Sequence, residues 1–114
     1  MHLRDYCEDR WPELWQFFGY FHQDFLDEYG SAEGAIDAFL NESDPEYVQK
    51  VLGQLEEYLE FSRDYLSRHP EEQYWLLESM RVAYNPGADG YTEIGWLEHV
   101  RQRLRDYLAK TKER

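Results

Sequence analysis

The stretch "DPEYVQKVLGQLEEYLEFSRDYLSRHP", residues 44–70, decides the fold. Val48, Val51, Leu52, Leu55, Leu59 and Leu66 recur at helical spacing, so they fall on one stripe of a single long helix. Glu46, Lys50, Glu57, Glu60 and Asp64 face away from that stripe. Asp44 is a good N-cap, and Pro45 follows at the first helical position, where a missing N–H costs nothing. His69-Pro70 disfavours continuation. Gly53 weakens the helix by about 1 kcal/mol relative to alanine, so packing on the apolar stripe must compensate.

The flanking sequence supplies the partners. Upstream, "WPELWQFFGYF" (11–21) places Pro12 and Glu13 in a first helical turn, followed by Leu14, Trp15, Phe17, Phe18 and Phe21. That segment is apolar nearly all round and should be largely buried. "HQDFLDEYG" (22–30) reads as a loop or short turn. Ser31 caps a second helix carrying Ala35, Ile36, Phe39 and Leu40 on one face. Downstream, "PEEQYWLLESMRVAY" (70–84) reads as a fourth helix, and "NPGADG" (85–90) as a turn. Thr92 then caps a fifth, with Trp96, Leu97, Val100, Leu104 and Leu108 as its stripe. No segment alternates with a period of two. The expectation is an all-α, compact bundle of about five helices, a single domain over residues 1–114 with its core within 10–110.

A chain of 114 residues with 42% hydrophobic and 18% aromatic residues can bury one core without staples. The one cysteine, Cys7, allows no internal disulfide, which fits a reducing compartment. The opening "MHLRDYCEDR" has no apolar stretch of a secretory signal, so a cytoplasmic protein is expected. The net charge of -12 repels nucleic acid and anionic membrane and suits a basic partner. It is uneven: residues 1–30 carry seven acids and two bases, residues 31–66 nine and two, and residues 67–114 eight of each. The final 14 residues are basic, with Arg101, Arg103, Arg105, Lys110, Lys112 and Arg114.

The constellations that could carry chemistry are thin. His22 and Asp24 sit two apart, but His2, His69 and His99 are scattered and no His-Glu-x-x-His spacing exists, so no metal site is expected. A His-Asp dyad needs a nucleophile, and there is no Gly-x-Ser-x-Gly elbow; Cys7 is read as incidental. "NPGADG" lacks the lysine of a phosphate loop and the alternating oxygen ligands of a calcium loop. Acid pairs such as Glu56-Glu57 and Glu71-Glu72 read as solvated faces. No catalytic residue and no cofactor is expected. His22 should bond backbone or a carboxylate beneath the aromatic shell, and Asp24 should cap the following turn.

Two segments carry a resemblance: "YFHQDF" (20–25), and the later Tyr-Asn-Pro…Gly…Trp-Leu pattern within residues 84–97. Over about residues 11–108 the chain resembles immunity proteins of bacterial contact-dependent growth inhibition systems, in the family marked by a Tyr-Phe-His-Gln-Asp segment. The resemblance implies a small helical protein without enzymatic activity that binds and neutralises a cognate toxin domain, often a nuclease. Tyr20, Phe21, His22, Gln23 and Asp24 match that segment and are expected to be scaffold; Phe25 stands where tryptophan is expected in many relatives. The charge asymmetry places toxin contact on Asp27, Glu28, Glu33, Asp37, Glu57, Glu60 and Asp64. The expected partner is one basic toxin domain, in a 1:1 complex with a monomer. The alternative is a general acidic helical adaptor unrelated to toxins.

Overall fold

The computed structural model describes residues 3–72 and 74–112. Met1, His2, Gln73, Glu113 and Arg114 therefore lie outside the described residues. Seven helices form one globule, and no strand occurs among the described residues. They are α1 (Leu3–Arg10), α2 (Pro12–Phe18), α3 (Phe25–Tyr29), α4 (Ala32–Glu42), α5 (Pro45–Arg68), α6 (Trp75–Met80) and α7 (Glu93–Lys112). Five of them are seven residues or longer, matching the expected all-α bundle.

Helix α5 is the axis. Asp44 Oδ1 accepts from Tyr47 N at 2.8 Å, and Val48, Val51, Leu52, Leu55, Tyr58, Leu59 and Ser62 are buried along one side. Leu66, at the end of the stripe read from sequence, is only half-buried. Two helices run antiparallel to α5. Contacts of Trp11 with Tyr58, Leu14 with Gln54 and Gln16 with Tyr47 fix the direction of α2. Arg63–Glu98 and Arg105–Glu56 pairs fix that of α7. Trp96, Leu97, Val100, Leu104 and Leu108 are buried, as their spacing predicts.

Two helix starts are capped from other helices. Gln54 of α5 accepts from Leu14 N at 3.0 Å and donates to Glu13 Oε2 at 2.5 Å, the main reason the Glu13 carboxyl lies below its usual range. Glu93 of α7 accepts from Leu76 N in the first turn of α6 at 3.0 Å. Both pairings satisfy N–H groups that a helix start leaves orphaned. A buried chain of bonds ties α5 to α6: Tyr58 Oη meets Ser79 Oγ at 2.6 Å, Ser79 donates to Trp75 O, and Trp75 Nε1 donates to Ser62 Oγ at 2.9 Å.

The structure departs from the sequence reading in three places. Helix α1 lies outside the expected core yet is ordered against it, burying Cys7 completely. The segment 22–30 is not merely a loop, since Phe25–Tyr29 makes a helical turn closed by Gly30 at φ +80°. The fourth helix is six residues long rather than spanning 70–84. Residues 69–72 turn instead, with Glu72 N bonded to His69 O at 3.1 Å, and residues 81–85 leave the helix without regular secondary structure, with Ala83 N bonded to Phe21 O at 2.9 Å. Ser31 Oγ accepts from Gly34 N at 2.9 Å as an N-cap should. Gly34 is required there: a Cβ would lie 2.1 Å from Tyr29 O.

Candidate functional site

The segment around His22 is where chemistry would have to occur. Phe21 is fully buried at the end of a 3₁₀ turn, Gly19–Phe21, that continues α2. His22 sits at the surface rather than beneath the aromatic shell. Its Nδ1 accepts from Asp24 N at 3.1 Å, so the ring proton resides on Nε2, which donates to Glu28 Oε2 at 2.8 Å. Asp24 occupies the N-cap position of α3, but its side chain makes no capping bond, contrary to expectation. Tyr20 Oη donates to Glu42, and Gln23 is exposed. No group of three His, Cys, Asp or Glu among the described residues could hold a metal ion. Burial pushes the Cys7 thiol up to about 11, which suppresses the thiolate that a nucleophile needs. The geometry is that of a tethered loop.

The acids expected to meet a partner fall into two groups, separated by the way α7 lies. Residues four apart on a helix share a face, while residues two apart do not. His99 and Arg103 form one row and turn to α4: His99 Nε2 lies 2.5 Å from Glu33, and Arg103 pairs with both Glu33 and Asp37. Glu98, Arg101 and Arg105 form a second row toward α5, where Arg105 reaches Glu56 at 3.5 Å and Glu98 reaches Arg63 at 3.4 Å. The basic C-terminal helix therefore spends its arginines inside the molecule, which the charge count along the sequence does not reveal. Glu33 and Asp37 are engaged within the fold.

The remaining expected contacts are freer. Glu57, Glu60 and Asp64 lie along one exposed side of α5. Glu57 meets Arg10 at 3.6 Å and Asp64 meets Arg68, while Glu60 has no ion pair among the described residues. Exposed pairs of this kind hold their charges loosely. Helix α1, whose Arg10 reaches Glu57, adds Asp5, Glu8 and Asp9, all exposed. Asp27 on α3 is exposed without an ion pair among the described residues, and Glu28 is held by His22.

Glu93 lies in the first turn of α7, and nothing in the sequence marks its role. Burial raises its carboxyl above the usual range, against the lowering effect of the bonds it accepts from the start of α6. A raised folded-state value means stability is greatest when the group is protonated and is lost as pH rises through that value. At pH 7 the ionised carboxylate therefore carries a burial cost. Glu93→Gln keeps an acceptor for Leu76 N and should be at least as stable as the parent at pH 7. The advantage should shrink as pH falls and the parent carboxyl takes up its proton. Glu93→Ala loses the cap and should cost about 1 kcal/mol. Urea midpoints at neutral and acid pH check both; a Gln variant less stable than Ala would refute the assignment.

No helix is long and apolar enough to cross a membrane among the described residues. The family model described as CdiI immunity protein matches residues 10–104, most of the chain. No curated protein and no solved structure matches it.

Proposed function

We propose that this chain, which belongs to the CdiI immunity protein family, neutralises a cognate toxin domain by binding it stoichiometrically. The observation that carries this is the family match over residues 10–104. The reading extends to a single-domain monomer, residues 1–114, acting without catalysis in the cytoplasm as half of a 1:1 complex. The toxin is proposed to be a basic nuclease, and the acidic charge of the chain supports this. Opposite fields steer association and raise its rate. A nuclease site is built to attract phosphates, so a carboxylate surface can take their place.

The proposed contact surface follows the acids that the fold leaves least engaged. Glu33 and Asp37 are already paired with Arg103, so using them would mean breaking internal contacts. Glu60 and the acids of α1 have no ion pair among the described residues, Glu57 and Asp64 are held only in exposed pairs, and the proposal rests on this group. Tyr20 to Asp24 are proposed as scaffold, tying the end of α2 to α3 and α4. The test is co-expression with the toxin domain encoded immediately upstream, followed by co-purification and growth rescue. Rescue of toxin-expressing cells and a 1:1 complex are expected. A purified pair that does not associate, with growth still arrested, would overturn the proposal.

A further inference from the structure

A cleft of about 510 Å³ lies between α1, α2 and the segment that follows α6. It is cationic in a chain of net charge -12. Arg4 and Arg81 supply its charge, and Trp15, Phe18 and Met80 are its apolar lining.

Three observations set these arginines apart. Arg10, Arg63, Arg68, Arg101, Arg103 and Arg105 all pair with carboxylates. Among the described residues Arg4 and Arg81 are the two arginines that do not, although acids outnumber bases two to one. Both are tied to one point: Leu77 O accepts from the Arg4 guanidinium at 3.2 Å and from Arg81 N at 3.2 Å. Arg81 also holds φ 56°, ψ 32°, and it is the one non-glycine residue with positive φ among the described residues. That left-handed conformation is strained for a residue with a Cβ, and glycine would adopt it freely. Arg81 closes α6 in this conformation, with its N–H directed to Leu76 O and Leu77 O, and its side chain is carried out over the cleft at a position where glycine would be less strained.

We propose that this cleft receives an acidic side chain of the toxin domain, a carboxylate held between Arg4 and Arg81 with an adjoining apolar residue on the Trp15–Phe18 floor. The inference rests on the toxin-binding reading above and assigns it a second contact of opposite sign. An all-acidic surface would attract any basic protein. A carboxylate demanded at one fixed place sets the register of the complex and excludes partners that lack it. Guanidinium groups suit this task, because they offer forked donors matched to a carboxylate.

The test is a charge series at position 81 in the full chain, titrated calorimetrically with the cognate toxin domain: the parent, then Arg81→Lys, Arg81→Gly and Arg81→Glu. Affinity should fall in that order, with about tenfold lost at Arg81→Gly and more at Arg81→Glu. Arg4→Gln, which keeps a donor for Leu77 O, should weaken binding by a similar factor. Arg81→Gly should also raise the melting temperature by a few degrees as the backbone strain is relieved. Weaker binding by a more stable protein cannot be a folding defect. If the parent binds and all four variants bind within twofold of it, the cleft is not a contact. A parent that does not bind sinks the toxin-binding reading and this inference with it. Equal losses at Arg81→Lys and Arg81→Glu would also overturn the inference, since shape and not charge would then be recognised. So would a melting-temperature rise of the parent in inorganic phosphate, absent in Arg81→Glu, with unchanged toxin affinity.

Discussion

Trp96→Ala should cost about 3–5 kcal/mol, the largest loss expected from any single truncation in this chain. Trp96 is 1% exposed and sits where four parts of the fold meet. Its indole stacks on Phe18 at 6.3 Å, meets Phe21 edge-on at 5.0 Å, and contacts Tyr84 at 5.0 Å. Through these rings α7 is joined to α2, to the 3₁₀ turn that follows it, and to the segment after α6. Removing the indole leaves a cavity lined by three rigid aromatic rings, which collapse poorly into the gap. Net stabilities of small domains are about 5–15 kcal/mol, so much of the total is at stake. Trp96→Phe keeps one ring and should lie between the parent and the alanine variant. Tyr74→Ala, at a ring 61% exposed, should stay within about 0.5 kcal/mol of the parent. Urea unfolding followed by circular dichroism gives all three values. If Trp96→Ala and Tyr74→Ala cost the same, the aromatic core is not organised around Trp96.

What the sequence revealed follows from where the apolar residues repeat. Helices α5 and α7 are long enough to show their stripes and carry recognisable caps, Asp44-Pro45 and Thr92. Their buried residues could be named beforehand. Helix α1 could not, because Leu3, Tyr6 and Cys7 form no sustained stripe and its burial depends on α2 and α6. Nothing in "YWLLESMRVAY" announces the stop of α6. The helix ends at Arg81 in a left-handed turn, a position where sequence reading looks for glycine or asparagine. Its start is similarly hidden, since the residue that caps it is Glu93 from another helix. The cationic cleft was invisible for the same reason. Arg4 and Arg81 are 77 residues apart and meet only through Leu77 O. Charge counting along the chain also misled in part, because α7 folds its arginines back onto Glu33, Asp37 and Glu56.

The triple variant Glu57→Lys, Glu60→Lys, Asp64→Lys should lower toxin affinity at least about 100-fold at low salt, chiefly by slowing association. Three reversals move the net charge from -12 to -6 and reverse the local field on the exposed side of α5. Fold stability should hardly change. The pairs that are lost, Arg10–Glu57 and Arg68–Asp64, join side chains that are each more than half exposed, and such pairs contribute little. Affinity and stability therefore separate at this face. They should separate in the opposite sense on the other flank of α7. There, Glu33→Gln with Asp37→Asn removes the partners of Arg103, whose side chain is 26% exposed, and should lower the melting temperature while leaving affinity nearly intact. Salt sharpens the contrast. Parent affinity should fall steeply between low and physiological ionic strength, because screening removes the steering field, and the triple variant should show a much flatter dependence. Unchanged affinity and unchanged salt dependence in the triple variant would remove the α5 face from the interface. A large loss confined to Glu33→Gln with Asp37→Asn would move the interface to α4, where toxin binding would have to compete with Arg103 for the same carboxylates.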